Sequence, residues 1–168
     1  MNNRIPALIA LVFLLTAGAP LSHGSGLSAD DFFREGYLAS MSRDWDEAIA
    51  LYSKAIQLNP QHAEAYFQRA VTLDIANRTT EAIADYEKTL ALRPDHYLAL
   101  EYLAKLCDAR GDHAKAIDLY LRALPLVSDT KWKSIIRWWI SESRKKMGQP
   151  GAGSHRTRRE RTGGSSSD

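Results

Sequence analysis

The sequence is poor in cysteine and lacks the short motifs that mark common catalytic sites. Cys107 is the only cysteine among 168 residues, so no intrachain disulfide can form and the fold must rest on packing. The chain has no His-Glu-x-x-His, no paired Cys-x-x-Cys, no Walker-type glycine loop and no Gly-x-Ser-x-Gly. We therefore predict no catalytic residues, no metal site and no cofactor, and expect a protein that is not an enzyme.

The longest apolar run is short for a membrane-spanning helix, which needs about 20 residues. It extends from Ile5 to Ala19, follows Arg4 and is followed by small residues. This pattern predicts a signal peptide over residues 1–24, cleaved after Gly24, and hence a periplasmic or secreted protein. Cleavage after Ala19 and an uncleaved N-terminal anchor are the alternatives.

An internal repeat dominates the rest of the chain. Residues 46–60 match residues 80–94 at a shift of 34, and a third copy begins at Ala114. The shift brings three alanines and three tyrosines into register: Ala48, Ala82, Ala116, Tyr52, Tyr86 and Tyr120. A repeat of this length predicts stacked units that share one continuous core.

The repeat resembles the tetratricopeptide repeat family over residues 29–130. The family's small position is filled by Gly36, Ala70 and Ala104, and its large opening position by Phe32, Tyr66 and Leu100. The resemblance implies an all-α, right-handed solenoid of helix-turn-helix repeats, here residues 29–62, 63–96 and 97–130, within a domain over residues 29–147.

Some positions depart from the family pattern. Glu35 and Arg69 replace the usual leucine in the first two copies, and Ser128 replaces the closing proline of the third. Pro125 lies inside the last expected turn of the third copy, where it removes a backbone donor. We therefore expect that helix to end near Leu124.

Six helices are expected in the repeats and a seventh after them. They lie near residues 29–41, 45–58, 63–76, 79–92, 97–110, 113–124 and 129–147. The seventh is expected to cap the third repeat, because a solenoid end needs a cover. Its wheel predicts a packed side formed by Trp132, Ile135, Ile136, Trp139 and Ser143. Trp138 falls outside this side, where it packs against a loop or the tail, or contacts a partner or a membrane.

The remaining candidates for chemistry have structural explanations. His62 and His96 occupy the same place in successive inter-repeat turns, so repeat register explains them better than metal binding does. Cys107 stands where the family packs a core residue, and an inert buried thiol is expected.

Charge is distributed unevenly along the chain. Residues 29–130 contain 11 basic and 17 acidic residues, a net charge of −6, whereas residues 131–168 contain 10 basic and 3 acidic residues, a net charge of +7. Residues 148–168 are rich in glycine, serine and arginine, which predicts a disordered basic tail. Such a tail solubilises the chain, folds back on the acidic repeats or binds an anionic partner. Because the chain is expected to be exported, nucleic acid is the least favoured of these partners, and no nucleic-acid binding is predicted.

The resemblance implies a concave groove lined by the first helix of each repeat. Carried over by position, the groove residues are Phe33, Tyr37, Met41, Phe67, Val71, Ile75, Glu101, Tyr102, Lys105 and Asp108. One subfamily uses cationic and amide side chains here to clamp a peptide's terminal carboxylate. Its positions are filled by Phe33, Tyr37, Gln68, Leu98 and Tyr102, which argues against such a clamp.

The leading hypothesis is an exported interaction module that holds a protein or peptide partner. Phe33, Tyr37, Phe67 and Tyr102 are its expected anchors in the groove. The groove could instead be filled by the protein's own residues or by a second copy in a homodimer. A separate hypothesis is a weak contact between Trp138, the basic seventh helix and the tail on one side and an anionic membrane on the other.

Overall fold

A computed structural model describes residues 26–148, and this part of the chain contains seven α-helices and no strand. The helices are α1 Ala29–Met41, α2 Trp45–Leu58, α3 Ala63–Ile75, α4 Thr79–Leu92, α5 Tyr97–Ala109, α6 His113–Ala123 and α7 Thr130–Gly148. None of them is both long and apolar enough to cross a bilayer. The predicted signal peptide and nearly all of the predicted tail lie outside the described residues.

The helices confirm the predicted all-α repeat and its period. Every boundary lies within one residue of its expected position, and α6 ends at Ala123. A single 3-10 turn, Leu124–Leu126, then accommodates Pro125, as expected for a residue that cannot donate in a helix.

The turn inside each repeat has a left-handed residue at one fixed position. Arg43, Asn77 and Gly111 have φ angles of 64°, 60° and 86° and stand 34 residues apart. This conformation is easy for glycine and asparagine but unusual for arginine. The repeated backbone geometry therefore survives a residue that does not favour it, which indicates that packing of the helix pair sets the turn.

Histidine caps the first helix of the second and third repeats. Nδ1 of His62 accepts the Ala65 amide hydrogen, and Nδ1 of His96 accepts that of Ala99, both at 3.2 Å. Each ring also lies against the phenylalanine of the preceding first helix, at centroid distances of 4.9 Å and 4.5 Å. The two histidines thus satisfy helix-end donors and join neighbouring repeats.

Helix pairs pack through a small residue of the first helix and an aromatic residue of the second. Gly36 lies so close to α2 that a Cβ atom there would stand 2.9 Å from the Tyr52 ring. Ala70 and Ala104 occupy the equivalent place and are fully buried. The core then continues from α2 to α7 through neighbouring pairs.

Helix α7 packs on α6, as predicted, but its packed side is rotated from the expected one. Ile136, Ile140 and Ser143 are buried, whereas Trp132 and Ile135 remain 44% and 38% exposed. The prediction for Trp132 and Ile135 was therefore wrong. Because α7 packs mainly on α6, residues on the flank of that contact stay open to solvent.

The unusual Arg69 has a partner that explains it. Its guanidinium donates two hydrogen bonds to Asp85, at 2.6 and 2.8 Å, and a third to the Ser53 hydroxyl at 2.8 Å. Asp85 is only 6% exposed. In the third repeat the same two positions are taken by Leu103 on α5 and Leu119 on α6, and both are buried where these helices pack together. A partly buried ion pair thus stands where the third repeat has an apolar pair.

We predict that Arg69→Leu alone lowers the free energy of unfolding by about 3 kcal/mol, because it leaves the Asp85 carboxylate buried without its cation. Arg69→Leu combined with Asp85→Leu installs the pair of the third repeat and should recover most of that loss. Urea unfolding followed by circular dichroism measures both variants. Additive losses in the double variant would contradict the assignment.

Candidate protein-binding groove

Residues that stand 34 apart in sequence lie at the same position on successive first helices, and together they form rows across the repeats. Helices α1 and α3 contact each other directly, and α3, α5 and α7 each pack on the second helix before them. In the first two repeats the rows carry Tyr37, Met41 and Ile75, which are 48%, 68% and 52% exposed, with Val71 half-buried beside them. This end of the groove is an open apolar surface.

The phenylalanines of the groove lie deeper than an anchor needs. Phe67 is only 5% exposed and packs against Tyr86, His96 and Tyr102. Phe33 is half-buried between Tyr52 and His62. Phe67 therefore belongs to the core beneath the groove. The prediction that it projects into the groove as an anchor was wrong.

Glu101 also differs from expectation, because the residue is only 4% exposed. It accepts a hydrogen bond from the Tyr97 hydroxyl and one of 2.6 Å from Lys105 Nζ. Burial, together with the hydrogen bond to this carboxylate, raises the pKa of Tyr97 far above its ordinary value. Glu101 is thus a buried counter-ion and not a surface contact.

Lys105 fills the C-terminal part of the groove. Its ammonium lies 4.5 Å from the centroid of the Trp139 ring and 5.4 Å from that of Tyr102. Trp139 in turn stacks on Tyr120 at 5.4 Å. A cation between two aromatic faces and a carboxylate is held by electrostatic attraction, so the protein's own residues occupy this part of the groove.

Three further residues belong to the rows of the groove, and the 34-residue period predicts them although they were expected only on the packed side of α7. Adding 34 to Leu98, Glu101 and Lys105 gives the row positions on α7, and these are Trp132, Ile135 and Trp139. Trp132 lies 6.4 Å from Trp139, centroid to centroid. Helix α7 therefore extends the groove as well as capping the third repeat.

Asp108 ties the third repeat to its neighbours at the edge of this region. It bonds His113 Nδ1 at 2.7 Å and the Lys146 ammonium of α7. Partial burial opposes ionisation, but hydrogen bonds from Lys146, His113 and Ser143 outweigh it and lower the pKa of the carboxyl. The carboxylate is therefore engaged within the protein.

The other predicted residues are not part of the groove. Trp138 lies about 160° around α7 from the buried Ile136 and is 59% exposed, which confirms its place outside the packed side. Cys107 is buried, and burial raises the pKa of its thiol. Between residues 26 and 148, no group of three or more His, Cys, Asp or Glu side chains is placed to hold a metal ion.

We predict that Phe67→Ala costs about 3–5 kcal/mol of unfolding free energy, as expected for removing a buried aromatic ring, whereas Tyr37→Ala costs less than about 1 kcal/mol. Urea unfolding of the two variants checks the difference. Equal losses would contradict the assignment of Phe67 to the core and Tyr37 to the surface.

Comparison with known sequences supports the repeat assignment. A family model described as TPR repeat matches residues 44–73, and one described as Tetratricopeptide repeat matches residues 76–129. Together they span half of the chain. No curated protein matches the sequence.

Several solved structures share the fold. MamA is 26% identical with a TM-score of 0.58, and the match covers 59% of this chain and 58% of MamA, so this chain corresponds to little more than half of that one. The TPR2B domain of yeast Sti1, solved as a pHsp70 complex, is 24% identical with a TM-score of 0.61, over 70% of this chain and 97% of that domain.

A similar fold occurs in the Yersinia enterocolitica type III secretion translocator chaperone SycD. It has a TM-score of 0.66 at 11% identity, over 76% of this chain and 92% of SycD. The first TPR domain of Spaghetti (RPAP3), solved with an HSP90 peptide, has a TM-score of 0.64 at 18% identity, over 73% of this chain and 94% of that domain. At these identities the likeness concerns the fold alone.

Proposed function

Because the chain belongs to the tetratricopeptide repeat family, we propose that it is an exported, non-catalytic interaction module that binds an apolar segment of another protein. The observation that carries the proposal is the open apolar row of Tyr37, Met41 and Ile75 on the first helices. Full burial of an apolar side chain of this size contributes about 1.5–3 kcal/mol, so three such contacts are enough to anchor a helix or an extended segment.

The chemistry of the groove favours an internal apolar segment over a free carboxyl terminus. Lys105 is already paired with Glu101 and two aromatic rings, and Arg34, which shares the repeat position of Tyr102, is paired with Asp31. Gln68 donates its amide to Glu64 within the same helix. A peptide carboxylate would therefore find few free donors, in keeping with the lack of cationic side chains at the clamp positions of this chain.

The test is affinity capture from a native envelope fraction with the chain from Ser25, which retains all seven helices. The groove variant replaces Tyr37, Met41 and Ile75 by serine. Its matched control replaces Leu58 and Leu121, which are 57% and 47% exposed on second helices, by serine. We expect one defined protein to be captured by the parent and the control, and its recovery to fall at least about tenfold with the groove variant.

Circular dichroism of all three proteins establishes that each is folded before capture is compared. If the groove variant captures the same protein as the parent, the groove is not the binding surface. If the control loses the partner equally, exposed apolar side chains in general are responsible and the specific assignment fails.

Export rests on the apolar run and the small residues of the first 24 positions. We predict that the protein recovered from its native source begins at Ser25, as read by N-terminal sequencing. A start at Pro20 would favour cleavage after Ala19. An intact Met1 in a membrane fraction would support the anchored alternative, and an intact Met1 in the soluble cytoplasmic fraction would contradict export.

A further inference from the structure

Helix α7 has the register of a first helix, and it is the last helix within residues 26–148. Its residues follow those of α5 by 34, and it packs on α6 as α3 and α5 pack on α2 and α4. In the three complete repeats the side of the first helix that meets its own second helix carries Gly36, Ala70 or Ala104. On α7 the equivalent residue is Trp138.

Trp138 makes this side unsuitable for another repeat. At Gly36, even one added carbon would stand 2.9 Å from the Tyr52 ring of the second helix. An indole at the equivalent place would hold a second helix well away from α7. The open side of α7 is thus a terminating surface, and Trp138 remains 59% exposed on it.

Four cations form an arc that starts beside Trp138 and extends around one flank of α7. At about 100° per residue, Lys131 lies about 20° from Trp138 on one side, and Lys145, Arg137 and Arg144 lie about 20°, 100° and 120° from it on the other, with Ser134 and Ser141 between them. Glu142, about 40° from Trp138 beyond Lys131, borders this arc. Only Lys145 of these four has an acidic partner within residues 26–148, namely Glu142 at 2.6 Å. We call this surface, formed by Trp138 and the four cations, the basic end face.

We propose that the basic end face docks on the headgroups of an anionic phospholipid bilayer. Tryptophan favours the membrane–water interface, and clusters of lysine and arginine on a helix bind anionic lipid. Lipid headgroups are mobile and can bring anionic groups to cations at any spacing. An acidic protein surface would also need a pocket complementary to the single projecting indole of Trp138. The four arginines at positions 156–161 follow in sequence and add to the same charge.

The proposal is separate from groove binding, because Trp138 and the groove residue Tyr37 lie at opposite ends of the repeat array. The test is flotation of the chain from Ser25 with vesicles of phosphatidylcholine, with or without phosphatidylglycerol. We expect binding only to the anionic vesicles, with an affinity that falls steeply as salt rises. Tryptophan emission should shift to the blue on binding.

Three variants separate the end face from other surfaces. Trp138→Ala should weaken binding at least about tenfold and abolish the blue shift. Arg137→Ser with Arg144→Ser should weaken it about 25-fold, from about fivefold for each cation. Lys54→Ser with Lys88→Ser removes two exposed cations from second helices, and Tyr37→Ala removes a groove residue; both should bind as the parent does.

The proposal is overturned if the chain does not bind anionic vesicles at low salt, or binds neutral ones equally well. It is also overturned if Trp138→Ala binds unchanged while a chain ending at Gly148 loses binding, since the tail would then be the membrane contact. Trp138-dependent binding to polyglutamate without binding to vesicles would assign the face to an acidic protein instead. None of these outcomes affects capture by the groove.

Discussion

Close contact between a small residue and an aromatic ring sets the geometry of each helix pair. Gly36 lies against Tyr52 with no room for another carbon, and the alanines at the equivalent positions are fully buried. Because a small residue recurs at this position every 34 residues, each helix pair can close in a similar way and stack on the next. The capping histidines and the left-handed turn residues then find equivalent surroundings in successive repeats.

The same contact decides which surfaces remain for function. One side of every first helix is used by its own second helix, and another by the helix before it, so the groove side is what remains open. The two ends of the array differ, however. Leu38 on α1 is 62% exposed, whereas the equivalent Thr72 on α3 and Ile140 on α7 are buried, because each of those helices packs on the helix before it. At the other end of the described residues, Trp138 stands at the position that faces the second helix in the complete repeats, with an arc of cations beside it.

Much of the fold could be predicted from the sequence, because period and local signals specify helices. Residue exposure was harder to predict. Phe67 and Glu101 occupy groove positions by register, yet stacking with Tyr102 and His96 buries Phe67, and Lys105 and Tyr97 enclose Glu101. Such burial depends on side chains of other elements, which repeat spacing does not specify. The rotation of α7 was missed for the same reason: a wheel shows which residues are apolar but not how many neighbours the helix has.

The most direct test of the groove as the binding surface is site-specific photo-cross-linking in the native envelope. A benzophenone side chain replaces Tyr37 in one protein and Leu58 in another, both exposed positions on neighbouring helices of the first repeat. The account predicts a discrete cross-linked partner from position 37 and none from position 58. Cross-links of equal yield from both positions, or from position 58 alone, would contradict it.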